Sequence, residues 1–377
     1  MMVYPSSGVN TRMQIREYLS QRAQHLAKTS RRIKDFRVFD FNYIPEQPLM
    51  RDEAKPLIDA LLRYTATGIP NHLLIFGSRG SGKTLMVKYA SQLLGQHDHK
   101  PGLTFAYANC RHHNTSFKIL AKLLNARPRG CSLDELWDRF CRQHAGQVVF
   151  VLDEVDLISD KDRNKDILYL ISRSSENYMA VLLSNNPRFL SNLDESIRST
   201  LQPELLHFRN YNAKEILEIL KDRARSGIVK PPRQALPQIA ALTARNTNSD
   251  VRVAIKTLYY LALEPRVNVT ELFERARRDI VRDVLADLND RNLLILRAAA
   301  KVSMPYVKAV YQQYRELSRQ LHEEPFSYVY FYANLSFLQS LGLILLLSTK
   351  VGRTYTNRIQ VLFDAELLAA IWQARFG

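Results

Sequence analysis

The sequence predicts an α/β fold in which helices cover both faces of a mostly parallel sheet, followed by a helical segment and a C-terminal winged helix. Three observations support this prediction. Apolar runs of strand length alternate with helical patterns in the first half of the chain, as in parallel sheets. Strand patterns stop beyond Phe208. Two strand-like runs then return near the C-terminus as a basic hairpin preceded by helices.

In the first half, we expect a basic leader over residues 1–40 and then alternating strands and helices. Ser132 with Glu135 resembles a capping box that opens one of the helices. The expected strands are 72–76, 104–108, 148–152 and 180–183, and the expected helices are 52–64, the segment after the glycine-rich loop, 132–143 and 166–174.

In the second half, Asn212 with Glu215 can cap the first of several helices. The expected helices are 212–225, 235–246, 250–263, 270–288, 290–301, 305–321 and a last one from Pro325 to Leu341, and the hairpin strands are 343–348 and 355–363. We therefore expect four units, namely a leader (1–40), a sheet-containing base (41–208), a helical lid (209–288) and a winged helix (289–377).

Composition and charge narrow the class of protein. The 377 residues include 53 Lys and Arg against 37 Asp and Glu, a net charge of +16, and 46% are hydrophobic. Such a chain can bury a core, which excludes wholesale disorder. The positive surplus favours a polyanionic partner such as nucleic acid, although alone it indicates only nonspecific attraction.

Neither apolar stretches nor cysteines indicate export or a membrane. The longest apolar stretch, Leu341 to Leu347, is far shorter than the roughly 20 residues that cross a bilayer. Cys110, Cys131 and Cys141 match neither a disulfide framework nor a zinc pattern. We expect a soluble cytoplasmic protein with reduced thiols and no membrane partner.

A glycine-rich segment carries the strongest chemical signal. Residues 77–84 match G-x-x-x-x-G-K-[ST] and lie between a predicted strand and helix. Backbone N–H groups of such a loop turn toward phosphate oxygens, Lys83 reaches the β and γ phosphates, and the Thr84 hydroxyl can ligate Mg²⁺. The alternative is a glycine loop with a surface lysine. The nucleotide-binding candidates here are Gly77, Gly80, Ser81, Gly82, Lys83, Thr84 and Leu85.

Two carboxylates follow the buried strand at 148–152, where ligands of parallel sheets bind. Asp153 suits a Mg²⁺ contact through water, and Glu154 is placed to orient and deprotonate an attacking water. Without the phosphate loop, the pair would be read as solvated acids at a strand end. Together with that loop, they indicate ATP hydrolysis.

Two further polar residues are candidates for contacts near the γ phosphate. Asn185 ends the next apolar strand and could hold the attacking water, although it could also be a turn residue. Arg252 begins a helix of the lid and could report the γ phosphate, although a single arginine is more often a solvated charge on a helix face.

Taken in order, these blocks resemble archaeal replication initiators, which are related to the largest origin recognition complex subunit and to the cell-division-cycle helicase loader within the AAA+ ATPases. The resemblance runs from about Phe41 to the C-terminus. It is carried by Tyr43 to Glu46, Arg51 to Glu53, the phosphate loop, Tyr107 to Arg111 with Thr115, Leu152 to Asp156, Ser184 to Asn186 with Phe189 and Leu190, Phe208, Tyr211, Asp250 to Ala254, and Tyr314 to Leu317.

The resemblance implies an AAA+ base that binds ATP or ADP with Mg²⁺, together with roles for individual residues. Asn185 would be sensor 1 and Arg252 sensor 2. Residues Tyr43, Ile44, Pro45 and Tyr211 would line the adenine, and Arg223 would be a second lid contact to the nucleotide. Tyr211 as a packing residue and Arg223 as a solvated charge are the alternatives.

DNA contacts implied by the resemblance fall in two places. Residues 111–124 would form an inserted helix against DNA, with Arg111, Lys118 and Lys122 near phosphates, or else a basic surface helix. The recognition helix is unusual because residues 325–349 carry no charge. Base contacts are expected from Ser327, Tyr328, Tyr330 and Asn334 of this helix. Phe331, Leu335 and Leu338 fit a stripe that packs in the core. Phosphate contacts are expected from the hairpin residues Lys350, Arg353 and Arg358.

The chain departs from the family pattern at two positions. An arginine usually follows an aspartate by two residues after sensor 1 and acts on a neighbour's ATP site, whereas here Asp194 is followed by Glu195 and Ser196. Arg198 is nearby but offset by two positions. Ser249 replaces the glycine that commonly precedes Asp250.

The resemblance implies an initiator that binds duplex DNA at a replication origin under the control of ATP, with slow hydrolysis as a switch. Recruitment of the replicative helicase, self-association on DNA and a nucleoid location are implied with it. A transcription regulator of the same architecture is one alternative. A remodelling or signalling ATPase whose winged helix binds protein is another, and the uncharged segment supports it.

Overall fold

The computed structural model describes residues 31–96, 103–144, 146–159, 165–351 and 354–376, together with Ser20 and Asp162. Most of the predicted leader and Arg353 of the predicted hairpin lie outside the described residues. The predicted fold class is confirmed, since a parallel sheet with helices on both faces is followed by a helical lid and a C-terminal unit with an antiparallel strand pair.

The base is built on a five-stranded parallel sheet with the order β2-β3-β4-β1-β5. Its strands are β1 (Leu73–Phe76), β2 (Thr104–Asn109), β3 (Val148–Asp153), β4 (Met179–Ser184) and β5 (Glu204–His207). The edge strand β5 is not among the predicted strands. It has four residues of which only Leu206 is buried, so it lacks the apolar run that marks the central strands.

Helices cover both faces of the sheet because successive side chains of each strand point to opposite sides. Val149 and Val151 of β3 pack in one core, whereas Phe150 and Leu152 pack in the other. The helices of the base are α1 (Ala54–Thr67), α2 (Lys83–Gln96), α3 (Ser116–Leu123), α4 (Leu133–Gln143), α5 (Asp166–Ser172) and α6 (Glu195–Leu201). The predicted capping box of Ser132 and Glu135 opens α4.

The lid consists of α7 (Ala213–Gly227), α8 (Leu236–Asn246), α9 (Val251–Leu263) and α10 (Val269–Ala286). The predicted capping box of Asn212 and Glu215 opens α7. The described end of the leader packs on this lid, because Ile33 lies in the lid core and Lys34 N donates to Gly227 O at 2.8 Å.

The C-terminal unit contains α11 (Asp290–Lys301), α12 (Val307–Gln320), α13 (Tyr328–Ser340), the antiparallel pair β6 (Ile344–Val351) and β7 (Thr354–Val361), and α14 (Ala365–Phe376). The residues predicted as a core stripe, Phe331, Leu335 and Leu338, are fully buried there. Helix α14 is not among the predicted helices. Leu285 and Leu288, at the end of the lid, also pack in this C-terminal core. In the described part of the chain, no helix is long and apolar enough to span a membrane.

Candidate nucleotide site

The phosphate loop follows β1 and requires glycine at three positions, of which Gly77 has no room for a Cβ beside the carbonyl oxygen of Phe208. Gly80 and Gly82 have φ of 76° and 87°, which side chains rarely adopt. A Cβ at Gly80 would also overlap the carboxylate of Asp250, and one at Gly82 would overlap the hydroxyl of Tyr211. Both neighbours belong to the lid or the segment leading into it, so the loop and the lid are in direct contact.

Lys83 begins α2 and its ammonium is buried in the loop. Nζ donates to the carbonyl oxygens of Gly77 and Ser78, both at 2.8 Å, and to Oδ1 of Asn185 at 3.0 Å. Burial lowers the pKa of Lys83 to about 8. An anionic ligand would counter this desolvation, which is the behaviour expected of a phosphate-binding lysine.

Asp153 ends β3 beside the first turn of α2. Its Oδ2 accepts from Thr84 Oγ1 at 3.0 Å and from Tyr107 OH at 2.8 Å. Burial raises the pKa of this carboxyl above its ordinary value. A divalent cation would favour the charged form, and two adjacent hard oxygen donors suit Mg²⁺.

Glu154 lies beside Asp153 in the left-handed region, with φ of 53°. Its carboxylate accepts from Arg111 Nε at 2.8 Å and Nη2 at 2.9 Å, and Arg79 Nη2 lies 3.9 Å away. Although burial alone raises the pKa of Glu154, the hydrogen bonds and charge of Arg111 hold it below its ordinary value. The predicted general base is therefore ionised and paired with an arginine.

Asn185 is fixed by the residues around it at the end of β4. Asp156 Oδ1 accepts from Ser184 Oγ at 2.7 Å and from Asn185 N at 3.1 Å. Because the Asn185 side chain also accepts from Lys83, the end of β4 is tied to the phosphate loop. Its amide is thereby held in the cavity beside the predicted γ-phosphate position.

The lid brings two arginines to the cavity. Arg252, near the start of α9, forms an ion pair with Asp250. Arg223 is buried on α7, where it donates to Val38 O, to Asp40 O at 3.2 Å and to Tyr43 O at 3.2 Å, and lies 4.8 Å from the centre of the Tyr43 ring. Arg223 thus holds the chain segment that was predicted to line the adenine.

Arg51, which was not predicted as a site residue, connects the phosphate loop with the lid. Its Nη1 donates to Ser81 O at 3.2 Å and to Arg209 O at 3.0 Å, and Nε lies 3.4 Å from Glu215 Oε1 on α7. The guanidinium also lies over the ring of Tyr211 at 4.3 Å. Arg51 belongs to the Arg-Asp-Glu block noted in the sequence. That block is the sequence signal by which Arg51 could have been chosen as a site residue.

These groups surround a cavity of about 690 Å³ between the base and the lid. Of the predicted residues, the cavity is lined by Pro45, Gly80, Ser81, Gly82, Lys83, Thr84, Leu85, Asp153, Glu154, Asn185, Tyr211, Arg223 and Arg252. Tyr43, Ile44 and Gly77 are not in its lining. The lining residues that were missed as nucleotide-site candidates include Phe41, Arg79, Lys88 and Tyr107.

Arg111 lies apart from the other two basic residues predicted for the inserted DNA-binding helix. Its guanidinium lines the nucleotide cavity, whereas Lys118 and Lys122 are exposed on α3. The expectation that all three lie along one DNA-facing helix does not match this placement. That expectation did not include Glu154 as an acidic partner of Arg111. The two residues come together because they follow adjacent parallel strands whose carboxyl ends coincide.

The residues predicted for base contacts also differ in placement. Ser327 caps α13 through Tyr330 N, and Tyr328 is 47% exposed. Tyr330 and Asn334 line a cleft of about 490 Å³ between α13 and the base. In the hairpin, Lys350 lies 5.7 Å from the centre of the Tyr355 ring and Arg358 is exposed.

The departures from the family pattern have simple structural settings. Arg198 is exposed on α6, and Asp194 precedes that helix as its N-cap residue. Ser249 has φ of 60°, in the left-handed region where glycine fits without cost. The glycine that is common in the family at this position therefore has a conformational reason.

Comparisons with known proteins support the same class. A family model described as AAA domain matches residues 69–193. The chain is 31% identical over 258 residues to ORC1-type DNA replication protein 1 of Sulfolobus acidocaldarius, covering 64% of this chain and 62% of that relative. It is 28% identical over 346 residues to ORC1-type DNA replication protein 8 of Halobacterium salinarum, covering 80% of this chain and 85% of the relative.

Two solved structures share the fold. The Aeropyrum pernix ORC1 protein in complex with DNA has a TM-score of 0.65 at 24% identity, covering 92% of this chain and 98% of that one. The CDC6 protein of Pyrobaculum aerophilum has a TM-score of 0.56 at 21% identity, covering 92% and 100%.

Fold and site together define a nucleotide-binding protein of the AAA+ class with a C-terminal winged helix. Within that class, the chain is similar to archaeal ORC1-type DNA replication proteins. The resemblance given by the sequence motifs is thus confirmed.

Proposed function

We propose that this protein is a replication initiator that binds duplex DNA at an origin in a form controlled by ATP. The observation that carries the proposal is the cavity in which the phosphate loop, the two acids at the end of β3, Asn185 and the lid arginines meet. Similarity to ORC1-type DNA replication proteins supports the assignment to replication.

ATP binding would use residues from both sides of this cavity. Lys83 supplies a buried positive charge for the β and γ phosphates, and loop N–H groups supply hydrogen bonds. Arg252 supplies a second charge from the lid. The adenine end would lie near Phe41, Pro45 and Tyr211, where the lining is more apolar.

The residues present also fit Mg²⁺. Thr84 Oγ1 and Asp153 Oδ2 are 3.0 Å apart at the phosphate end of the cavity, and Mg²⁺ in nucleotide sites needs few protein ligands because phosphates and water supply the rest. Bound Mg²⁺ would neutralise phosphate charge during hydrolysis.

Hydrolysis would depend on Glu154 as the base that orients and deprotonates water, with Asn185 holding that water or the γ phosphate. Glu154 is ionised, as a base must be, but its two oxygens are paired with Arg111. A base held in this way is consistent with slow turnover that acts as a switch.

Duplex DNA would contact the hairpin and α3. Lys350, Arg353 and Arg358 are the proposed phosphate contacts of the hairpin, with Lys118 and Lys122 on α3. Phosphate contacts position a protein on DNA without specifying sequence. Helicase recruitment and self-association on DNA are part of the proposal, and exposed Arg198 is the candidate contact to a neighbour's ATP site.

A second candidate function is an ATPase whose winged helix binds protein. The uncharged segment of the C-terminal unit favours it, because Val329 and Tyr328 on α13 are 80% and 47% exposed. A transcription regulator of the same architecture is also compatible with these features.

Purified protein should be tested against origin and random duplex DNA, each with ATP, ADP and no nucleotide, over a range of salt concentrations. If about six phosphates are neutralised, log K should fall against log salt with a slope of about −5. A flat salt dependence would support protein binding instead. Genomic footprints scattered over promoters and absent from origins would support a transcription regulator.

A further inference from the structure

A tyrosine of the second strand contacts the acid that ends the third. Tyr107 OH donates to Oδ2 of Asp153 at 2.8 Å, and Thr84 Oγ1 donates to the same oxygen at 3.0 Å. Both hydroxyls are the donors, because an ionised carboxylate only accepts hydrogen bonds. The hydrogen bonds that side chains of the described residues make to this carboxylate thus end on one of its two oxygens.

The register of the sheet explains why Tyr107 reaches this acid. Strands β2 and β3 are parallel with Tyr107 beside Val151, and Asp153 follows Val151 by two residues on the same face of the sheet. Tyr107 and Val151 pack in the core that α2 covers through Met86 and Val87. The phenol therefore lies on the face of the sheet where α2 and the end of β3 meet.

Helix α2 fixes the tyrosine ring from its other side. Thr84 and Lys88 are four residues apart in α2, so they lie on one face of this helix. Lys88 Nζ lies over the Tyr107 ring, 4.7 Å from its centre, while Thr84 bonds to Asp153. All four side chains line the nucleotide cavity. The hydroxyl of Tyr107 is thus held at the phosphate end of the cavity by contacts on both sides.

We propose that Tyr107 is a positioning residue for the Mg²⁺ site. The inference rests on the proposed binding of ATP with Mg²⁺. Because Oδ2 accepts from two donors, the carboxylate of Asp153 cannot rotate without losing a hydrogen bond, and Oδ1 is the oxygen left to accept from the water shell of the ion. Loss of such a partner of a metal-binding side chain typically costs about 10–100-fold in metal affinity.

Tyr107→Phe is the direct test, because it removes the hydroxyl and keeps the ring that packs against Lys88. The ATP dissociation constant measured by calorimetry in EDTA should equal that of the wild-type protein, since no metal is bound under this condition. The ratio of the dissociation constants in EDTA and in saturating Mg²⁺ should fall about tenfold, at the lower end of that range because the contact with the ion passes through water. This ratio reports how much the protein tightens the binding of the ion, so a merely structural role of Tyr107 would not change it.

Tyr89→Phe is the matched control. Tyr89 also lies on the covering helix α2, but its hydroxyl donates to Glu46 O at 3.2 Å, and neither residue lines the nucleotide cavity. This variant should leave both dissociation constants unchanged. The double variant Tyr107→Phe/Asp153→Ala should show the same ratio as Asp153→Ala alone, because the hydroxyl acts through that carboxylate.

Two results would overturn the proposal. An unchanged ratio in Tyr107→Phe would mean that its hydroxyl does not serve the ion. An equal loss of ATP affinity with and without Mg²⁺ would mean that Tyr107 contacts the nucleotide or supports the cavity as a whole. Failure of the proposed function would look different, because Lys83→Ala would then bind ATP as tightly as the wild-type protein, whatever the ratio in Tyr107→Phe.

Discussion

The ammonium of Lys83 lies 3.0 Å from Oδ1 of Asn185, although 101 residues separate them in the chain. The sheet order explains this contact. β1 and β4 are parallel neighbours in register, with Phe76 beside Ser184, so the phosphate loop and Asn185 leave the sheet side by side. Sheet topology thus places the phosphate-binding charge beside the proposed sensor of the γ phosphate.

Lys83→Ala should abolish ATP binding, because it removes the buried charge aimed at the phosphates. Calorimetric titration with ATP would measure this. Lys55→Ala is a suitable control, since Lys55 is exposed on α1 and pairs with Asp52. Wild-type affinity in Lys83→Ala would remove the basis for the phosphate-loop assignment.

Glu154→Gln should retain ATP while hydrolysis falls by about 10² to 10⁴, the usual contribution of a positioned general base. The amide keeps the size of the side chain but cannot accept a proton. Phosphate release under single-turnover conditions, together with ATP affinity, would separate chemistry from binding. An unaltered rate would mean that another residue activates the water.

Arg223→Gln should reduce the free energy of unfolding by about 2–4 kcal/mol, because a buried arginine that serves three backbone carbonyls would be lost. ATP affinity should fall as well, since the segment at residues 38–43 borders the adenine end of the cavity. Denaturant titration and ATP titration would measure the two effects. Lys221→Gln, on the exposed side of the same helix, should change neither.

Neutralising Lys350, Arg353 and Arg358 together should weaken binding to all DNA sequences to a similar extent. Since about three phosphate contacts would be lost, the salt slope should become shallower by roughly three units. Fluorescence anisotropy over a series of salt concentrations would test this. Loss of affinity for one sequence only would mean that the hairpin reads bases.

Stability should decrease as the pH falls from about 6.5 to 4 because of His72. Its Nδ1 accepts from Ala180 N at 3.0 Å, and burial lowers the pKa of the ring from 6.5 to about 4. The unfolded chain therefore binds more protons than the folded chain in this window, which reduces the free energy of unfolding as pH falls.

His72→Asn should remove this dependence because an amide oxygen can accept from Ala180 N without titrating. Between pH 7 and pH 5, the wild-type protein should lose about 1–2 kcal/mol more than the variant. Urea denaturation at both pH values would measure the difference. Equal losses in the two proteins would show that His72 does not titrate in this range.

Central elements and the phosphate site are predictable from the sequence because their signals are local. The strands β1 to β4 are apolar runs, both capping boxes lie within four residues, and the loop motif has fixed spacing. The elements that were missed have weaker patterns. β5 has one buried residue, and Leu368 is the one fully buried residue described in α14.

Contacts between distant segments explain the residues that were misjudged. Arg111 resembles a surface charge in sequence, and only the pairing of β2 with β3 shows that it faces Glu154. Arg51 contacts residues 30 and 158 positions away. These partners depend on the order of the strands in the sheet and on the position of the lid. No periodic pattern in a single sequence indicates either of them.

The contacts of Arg51 have a practical consequence for dissecting the molecule. A recombinant fragment cut at residue 69, where the match to the AAA domain begins, would contain every phosphate-binding residue. It would nevertheless lack the guanidinium that joins Ser81, Tyr211 and Glu215. The smallest autonomous ATP-binding unit should accordingly begin before the first helix, because Arg51 in that stretch fastens the phosphate loop to the lid.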